Sequence, residues 1–106
     1  CLTLYVSNMI YKNYQEIPFE EKIQTVRDGI RLLVEEARAS KKTVLFVTNE
    51  VGLGIVPDNE LAREYRDIVG WVNQWLAEQC DHVFLTVCGQ AVDVKQLAFK
   101  LPNVEE

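Results

Sequence analysis

The sequence predicts an α/β fold of parallel strands joined by helical crossovers, and three observations carry that prediction. Two stretches, Phe19 to Ser40 and about Asp58 to Glu78, repeat their apolar residues at helical spacing. Two short apolar and β-branched runs, Thr43 to Val47 and Val83 to Cys88, alternate with them. Cys1-Leu2-Thr3-Leu4-Tyr5-Val6 reads as a further strand ahead of the first helix. All-helical and all-β readings fit this order poorly.

The opening run has no turn and no polar leader before it, and its first residue is Cys, not Met. A strand of this kind belongs inside a sheet, so residues are expected to precede Cys1; a cloning artefact is the alternative. Ser7-Asn8 is a candidate helical turn, and Tyr11 to Pro18, which mixes Tyr, Asn, Lys and Gln without a period, reads as an irregular linker. From Phe19 to Ser40 the residues Ile23, Val26, Ile30, Leu33, Val34 and Ala37 form one apolar stripe. Glu20 and Glu21 suit the positive end of that helix, and Lys41-Lys42 suit its negative end. Thr43 to Val47 is the second predicted strand.

The stretch from Val44 to Pro57 organises the rest. An apolar run stops at Thr48-Asn49-Glu50, and Gly52 and Gly54 then punctuate an apolar loop of Val51, Leu53, Ile55 and Val56. In open α/β sheets ligands gather at the carboxyl ends of strands, where loops expose backbone groups on a rigid support. Asn49 and Glu50 are therefore candidate binding residues, with the glycines allowing close backbone approach. A plain βα connection explains the glycines equally well.

Pro57 stops the loop, and Asp58 or Asn59 caps the next helix. Its core face is predicted as Leu61, Tyr65, Ile68, Val69, Val72, Trp75 and Leu76. The opposite face gathers Arg63, Arg66, Asp67, Gly70, Asn73 and Gln74. A mid-helix glycine costs about 1 kcal/mol against alanine, so Gly70 marks either a close approach or a tolerated defect. Asp81-His82 is then a turn, Val83 to Cys88 a buried strand, and Gly89-Gln90 a turn into a hairpin partner from Ala91 to Lys95. The remaining residues, with Leu97, Phe99 and Leu101, are expected to dock weakly or fray.

With 106 residues, 48% of them hydrophobic, the chain makes one small domain, and so few strands leave sheet edge for another segment or a partner to cover. The formal charge of −5 argues against general nucleic-acid or membrane-surface binding, which needs a basic field. No apolar run approaches the roughly 20 residues of a membrane span. A cytoplasmic location is the expectation. Cys1, Cys80 and Cys88 leave an odd thiol and no metal-like spacing, so reduced, mostly buried thiols are expected, and His82 beside Asp81 reads as a turn or surface residue, not a ligand.

The run Thr48-Asn49-Glu50-Val51-Gly52-Leu53-Gly54-Ile55-Val56-Pro57, followed by Leu61-Ala62-Arg63, Tyr65-Arg66-Asp67, Gly70 and Asn73-Gln74, resembles the adenosylcobinamide kinase / adenosylcobinamide-phosphate guanylyltransferase family. Cys1 to Leu4 and Cys88-Gly89 are similar to it as well, so the resemblance spans about residues 1 to 95. It implies the C-terminal part of a P-loop NTPase, with a RecA-like, mostly parallel sheet, flanking helices and a terminal hairpin. It also implies a homotrimeric cobalamin-biosynthesis enzyme that phosphorylates adenosylcobinamide and then transfers GMP from GTP through a guanylylated histidine. GTP or ATP, Mg²⁺ and a corrinoid are the implied ligands.

The chain departs from that pattern. A Gly-x-x-x-x-Gly-Lys-Ser/Thr run is absent, His82 does not match the nucleophile, and the metal-binding aspartate of the family would fall just before Cys1. The 106 residues alone are therefore expected to be inactive, to hold no metal and to bind no nucleotide tightly. Asn49, Glu50, Gly52 and Gly54 are the expected nucleotide-binding residues. Arg63 and Arg66 are candidates for phosphate or subunit contacts, or else pair with Glu60, Glu64 or Asp67 along the helix. A binding or assembly module and a different RecA-like NTPase are the competing classes.

Overall fold

The computed structural model describes residues 1–12, 18–50 and 58–102. Three helices, α1 (Leu2–Lys12), α2 (Phe19–Ser40) and α3 (Glu60–Gln79), pack mutually and share one core. Leu2 and Val6 of α1, Val26, Ile30 and Val34 of α2, and Ile68, Val69, Val72 and Leu76 of α3 are its buried residues. Each helix thus buries a stripe at three- and four-residue spacing, which is why these segments are helical.

The first segment corrects the sequence expectation: Cys1 to Val6 is not a strand, and Leu2 to Val6 open α1. Leu2, Tyr5, Val6 and Met9 recur at i, i+3, i+4 and i+7, and Leu2 and Val6 enter the core with Tyr5 and Met9 packed against it. That helical period overrides the β preference of Thr3, Tyr5 and Val6. Of the expected linker, Tyr11 and Lys12 continue α1, Pro18 is the β/extended N-cap of α2, and 13–17 lie outside the described residues.

Helix α2 matches its predicted bounds. Glu20 and Glu21 occupy its first turn, and Lys41, in left-handed backbone at φ 55°, closes its end with an N–H to the Arg38 carbonyl. Its buried stripe is not wholly apolar. Lys22 lies on it and donates to Glu64 of α3 at 3.1 Å, whereas Leu33, expected inside, is 39% exposed. Higher up the seam the Arg27 guanidinium lies 4.3 Å from the Trp71 ring centroid, and Trp71 stacks on Trp75.

The second predicted strand also needs correction. Thr43 to Val47 belongs to no ladder among the described residues, and Val44, Leu45 and Val47 are exposed. The ladder present is an antiparallel hairpin, β1 (Phe84–Val87) with β2 (Gln90–Asp93), pairing Leu85 with Val92 and Thr86 with Ala91. The expected parallel pairing is not present among the described residues. The hairpin was predicted, but its first strand, expected to be buried, is exposed along its length because no further layer covers it among the described residues. The turn is Cys88-Gly89, one residue earlier than expected. Both residues have positive φ, 51° and 75°, as the twist of a two-residue hairpin loop requires. A short helix, α4 (Val94–Leu97), follows, its Gln96 N–H held by the Asp93 carboxylate.

Two polar contacts anchor neighbouring elements to the C-terminal end of α3. Lys95 donates to the carbonyls of Ala77 and Cys80, and Arg38 donates to the carbonyl and side-chain oxygen of Gln79. These cations meet the negative end of the helix dipole.

Two glycines give different expectations. A Cβ on Gly29 would stand 2.6 Å from the Tyr5 hydroxyl and 3.0 Å from Met9 Cε, so the ends of these two α1 side chains fill the space a methyl would take. A Cβ on Gly70 would meet nothing within 4 Å among the described residues, so the close approach considered from the sequence is not seen there. Gly70→Ala is expected to stabilise the chain by up to about 1 kcal/mol, whereas Gly29→Ala must displace the ends of Tyr5 and Met9 and is expected to gain less from the same propensity term. Paired thermal melts check the order of the two variants.

Candidate functional site

The candidate site lies where the segment after α2 meets the exposed side of α3. Val47 is fixed first: its carbonyl accepts from the Leu2 N–H at 2.8 Å, which also satisfies a free donor at the start of α1. The next two residues are held by Asn73. Its Oδ1 accepts from the Thr48 hydroxyl at 2.8 Å and its Nδ2 donates to the Asn49 carbonyl at 2.9 Å. Three consecutive residues are thus pinned from two helices, with no strand ladder on them among the described residues.

Asn49 and Glu50 follow directly, both exposed. Gly52 and Gly54 lie outside the described residues. On α3, Asn59 is the cap; its side chain accepts from the Ala62 N–H at 3.1 Å. Arg63, exposed one turn in, donates from Nη1 to the Asp58 carbonyl at 2.5 Å, and Arg66 is half-buried. Arg63, Arg66, Gly70 and Asn73 fall at i, i+3, i+7 and i+10, so they share one side of α3. Glu64, a proposed helical partner for the arginines, instead holds Lys22 across the α2–α3 seam.

The segment containing Asn49 and the face containing Arg63 and Arg66 are therefore connected through Asn73, whose bonding role the sequence reading missed. The available signal was its place on the same helical side as Gly70 and the arginines. Chemically, the arrangement offers an exposed carboxamide and carboxylate beside a helix that carries two guanidinium groups. That suits orientation of a polar, phosphate-bearing molecule. Among the described residues no three His, Cys, Asp or Glu side chains cluster to hold a metal ion. Likewise no helix among them is long and apolar enough to cross a membrane.

Cys1 and Cys88 are exposed, not buried as expected, and half-buried Cys80 closes the far end of α3. Burial pushes its thiol up from the ordinary value; Lys95 pulls it back, Asp81 adds to the rise and Arg38 opposes it. A thiol whose pKa is raised by folding favours the folded state while protonated. That contribution is present at neutral pH and is lost as pH rises through the folded value. Iodoacetamide at neutral pH is expected to label exposed Cys1 and Cys88 well before half-buried Cys80, read by peptide mass.

Residues 1–94 match the family described as cobinamide kinase / cobinamide phosphate guanyltransferase. The bifunctional adenosylcobalamin biosynthesis proteins CobU of Salmonella typhimurium and of Escherichia coli are each 38% identical to this chain over 100 residues, covering 90% of it and 55% of their own length. The bifunctional adenosylcobalamin biosynthesis protein CobP of Pseudomonas aeruginosa is 33% identical over 95 residues, covering 90% of this chain and 50% of its own length. The chain spans about half the length of the curated relatives it matches.

Proposed function

This chain belongs to the cobinamide kinase / cobinamide phosphate guanyltransferase family, and from that membership we propose that it is the C-terminal part of a bifunctional cobalamin-biosynthesis transferase. The full-length protein phosphorylates the aminopropanol arm of adenosylcobinamide and transfers GMP from GTP to the product, giving adenosylcobinamide-GDP. The observation that carries this reading is the match over residues 1–94, nearly the whole chain. The pinned Val47-Thr48-Asn49 segment, which leads into Glu50 and is tied through Asn73 to the helix that carries Arg63 and Arg66, supports it, because phosphoryl and nucleotidyl transfer rest on positioning and charge neutralisation.

In this reading Asn49, Glu50, Gly52 and Gly54 contact the nucleotide, and Arg63 and Arg66 meet phosphate or a neighbouring subunit of a homotrimer. The phosphate-cradling P-loop, its lysine and the nucleophilic histidine come from the rest of the protein, so this chain alone catalyses neither step. The remaining part also completes a RecA-like parallel sheet against Thr43 to Val47 and the hairpin. Exposed Leu45, Val47, Phe84 and Val87, at 84%, 65%, 59% and 54%, support an additional covering layer. The enzyme works in the cytoplasm with GTP or ATP and Mg²⁺.

The test compares the longer polypeptide encoded around this chain with the 106 residues alone, each given GTP, Mg²⁺ and adenosylcobinamide, with products separated by chromatography. The longer protein is expected to form both adenosylcobinamide phosphate and adenosylcobinamide-GDP, and the chain neither. A longer protein that forms neither product overturns the assigned activity; either product from the chain alone overturns its inactivity.

A further inference from the structure

We propose that Asn73 is a positioning residue for nucleotide transfer: its carboxamide fixes the Thr48-Asn49 backbone and so sets where Asn49 and Glu50 present their side chains. The inference rests on the nucleotide-binding role given above to those two residues, and it adds a residue that touches neither substrate.

The segment has no ladder among the described residues to hold it, and residues outside helices and ladders move easily unless their polar groups are tied. What ties this one is specific. The Leu2 N–H holds the Val47 carbonyl, Asn73 Oδ1 holds the Thr48 hydroxyl, and Asn73 Nδ2 holds the Asn49 carbonyl. The anchor is rigid, because Val72, its immediate neighbour, is 1% exposed in the three-helix core, with Ile68, Val69 and Leu76 buried on the same helix. A carboxamide accepts from the hydroxyl and donates to the carbonyl in one planar group. A carboxylate of the same shape accepts from the hydroxyl but sets negative charge against the carbonyl oxygen, and a hydrocarbon does neither. The Asn49 carbonyl belongs to the peptide plane that leads into Glu50, so turning that plane re-aims both side chains.

The test uses the full-length protein, with kcat and KM for GTP measured in formation of adenosylcobinamide-GDP from adenosylcobinamide phosphate and folding followed by circular dichroism. Asn73→Asp is expected to lower kcat by about 10²-fold, the effect of a misplaced reacting group, with KM for GTP changed by no more than about threefold. Thr48→Val, which removes the hydroxyl but keeps the shape, is expected to lower kcat by about tenfold, and Thr48→Ser to restore it. A purely structural role would instead lower the melting temperature and leave kcat per folded molecule unchanged. Unchanged kcat in folded Asn73→Asp, or equal losses in Thr48→Val and Thr48→Ser, overturns the proposal. If Asn73→Asp does not fold, the Thr48 pair decides alone. A wild-type protein without activity overturns the functional reading itself, and this inference with it.

Discussion

Ile30→Ala is expected to lower the unfolding free energy by about 2–5 kcal/mol, among the largest losses any single truncation in this chain will give. Ile30 is 0% exposed on the middle of α2, in the same cluster as Val6 of α1 and Ile68, Val69 and Val72 of α3. Truncation removes the transfer free energy of the lost carbons and leaves a void that the helices fill only in part. For a chain of this length the total stability is about 5–15 kcal/mol, so the variant sits near its unfolding threshold. Leu33→Ala, one turn along at 39% exposure, should cost about 0.5 kcal/mol or little more. Urea titration of both variants reads the difference. Losses of equal size would mean that Ile30 is not at the centre of the core.

The contrast between those two leucine-sized residues shows what was legible beforehand. Periodicity identified α2 and α3 because one buried stripe fixes the spacing of Val26, Ile30 and Val34, and of Ile68, Val69, Val72 and Leu76. It could not tell Leu33 from Lys22, since which edge of a stripe is covered depends on where the neighbouring helices lie. The same blindness made α1 look like a strand: over six residues, Leu2, Tyr5 and Val6 satisfy a β composition, and only Met9 and the core partners decide for a helix. Thr43 to Val47 has strand composition, but a strand exists only through a partner, and none is found among the described residues. The hairpin was legible because its turn is local, although two positive φ values moved it to Cys88-Gly89. In the candidate site, Asn49 and Glu50 were visible as a polar stop after an apolar run. The hold that Asn73 exerts on them crosses 24 residues from α3 to a segment without a period, and no local pattern encodes it.

Glu64→Ala is the second large effect, and its size depends on what it leaves behind. The Lys22 ammonium is 3.1 Å from the Glu64 carboxylate, with side chains only 5% and 20% exposed. Removing the carboxylate strands a cation inside the α2–α3 seam. Breaking a fully buried pair in this way costs about 3–5 kcal/mol, and the partial exposure of Glu64 brings the expected loss here to about 2–3 kcal/mol. Lys22→Met is different. It removes the charge that needs a partner and fills the same stripe with an unbranched apolar chain, leaving the more exposed carboxylate to find water, so the expected change is within about 1 kcal/mol. In the double variant the stranded cation is absent, and most of the Glu64→Ala loss should be recovered, a coupling that a double-mutant cycle in urea measures directly. If Glu64→Ala costs no more than Lys22→Met, the pair is solvated in solution and the helices are held by their apolar stripes alone.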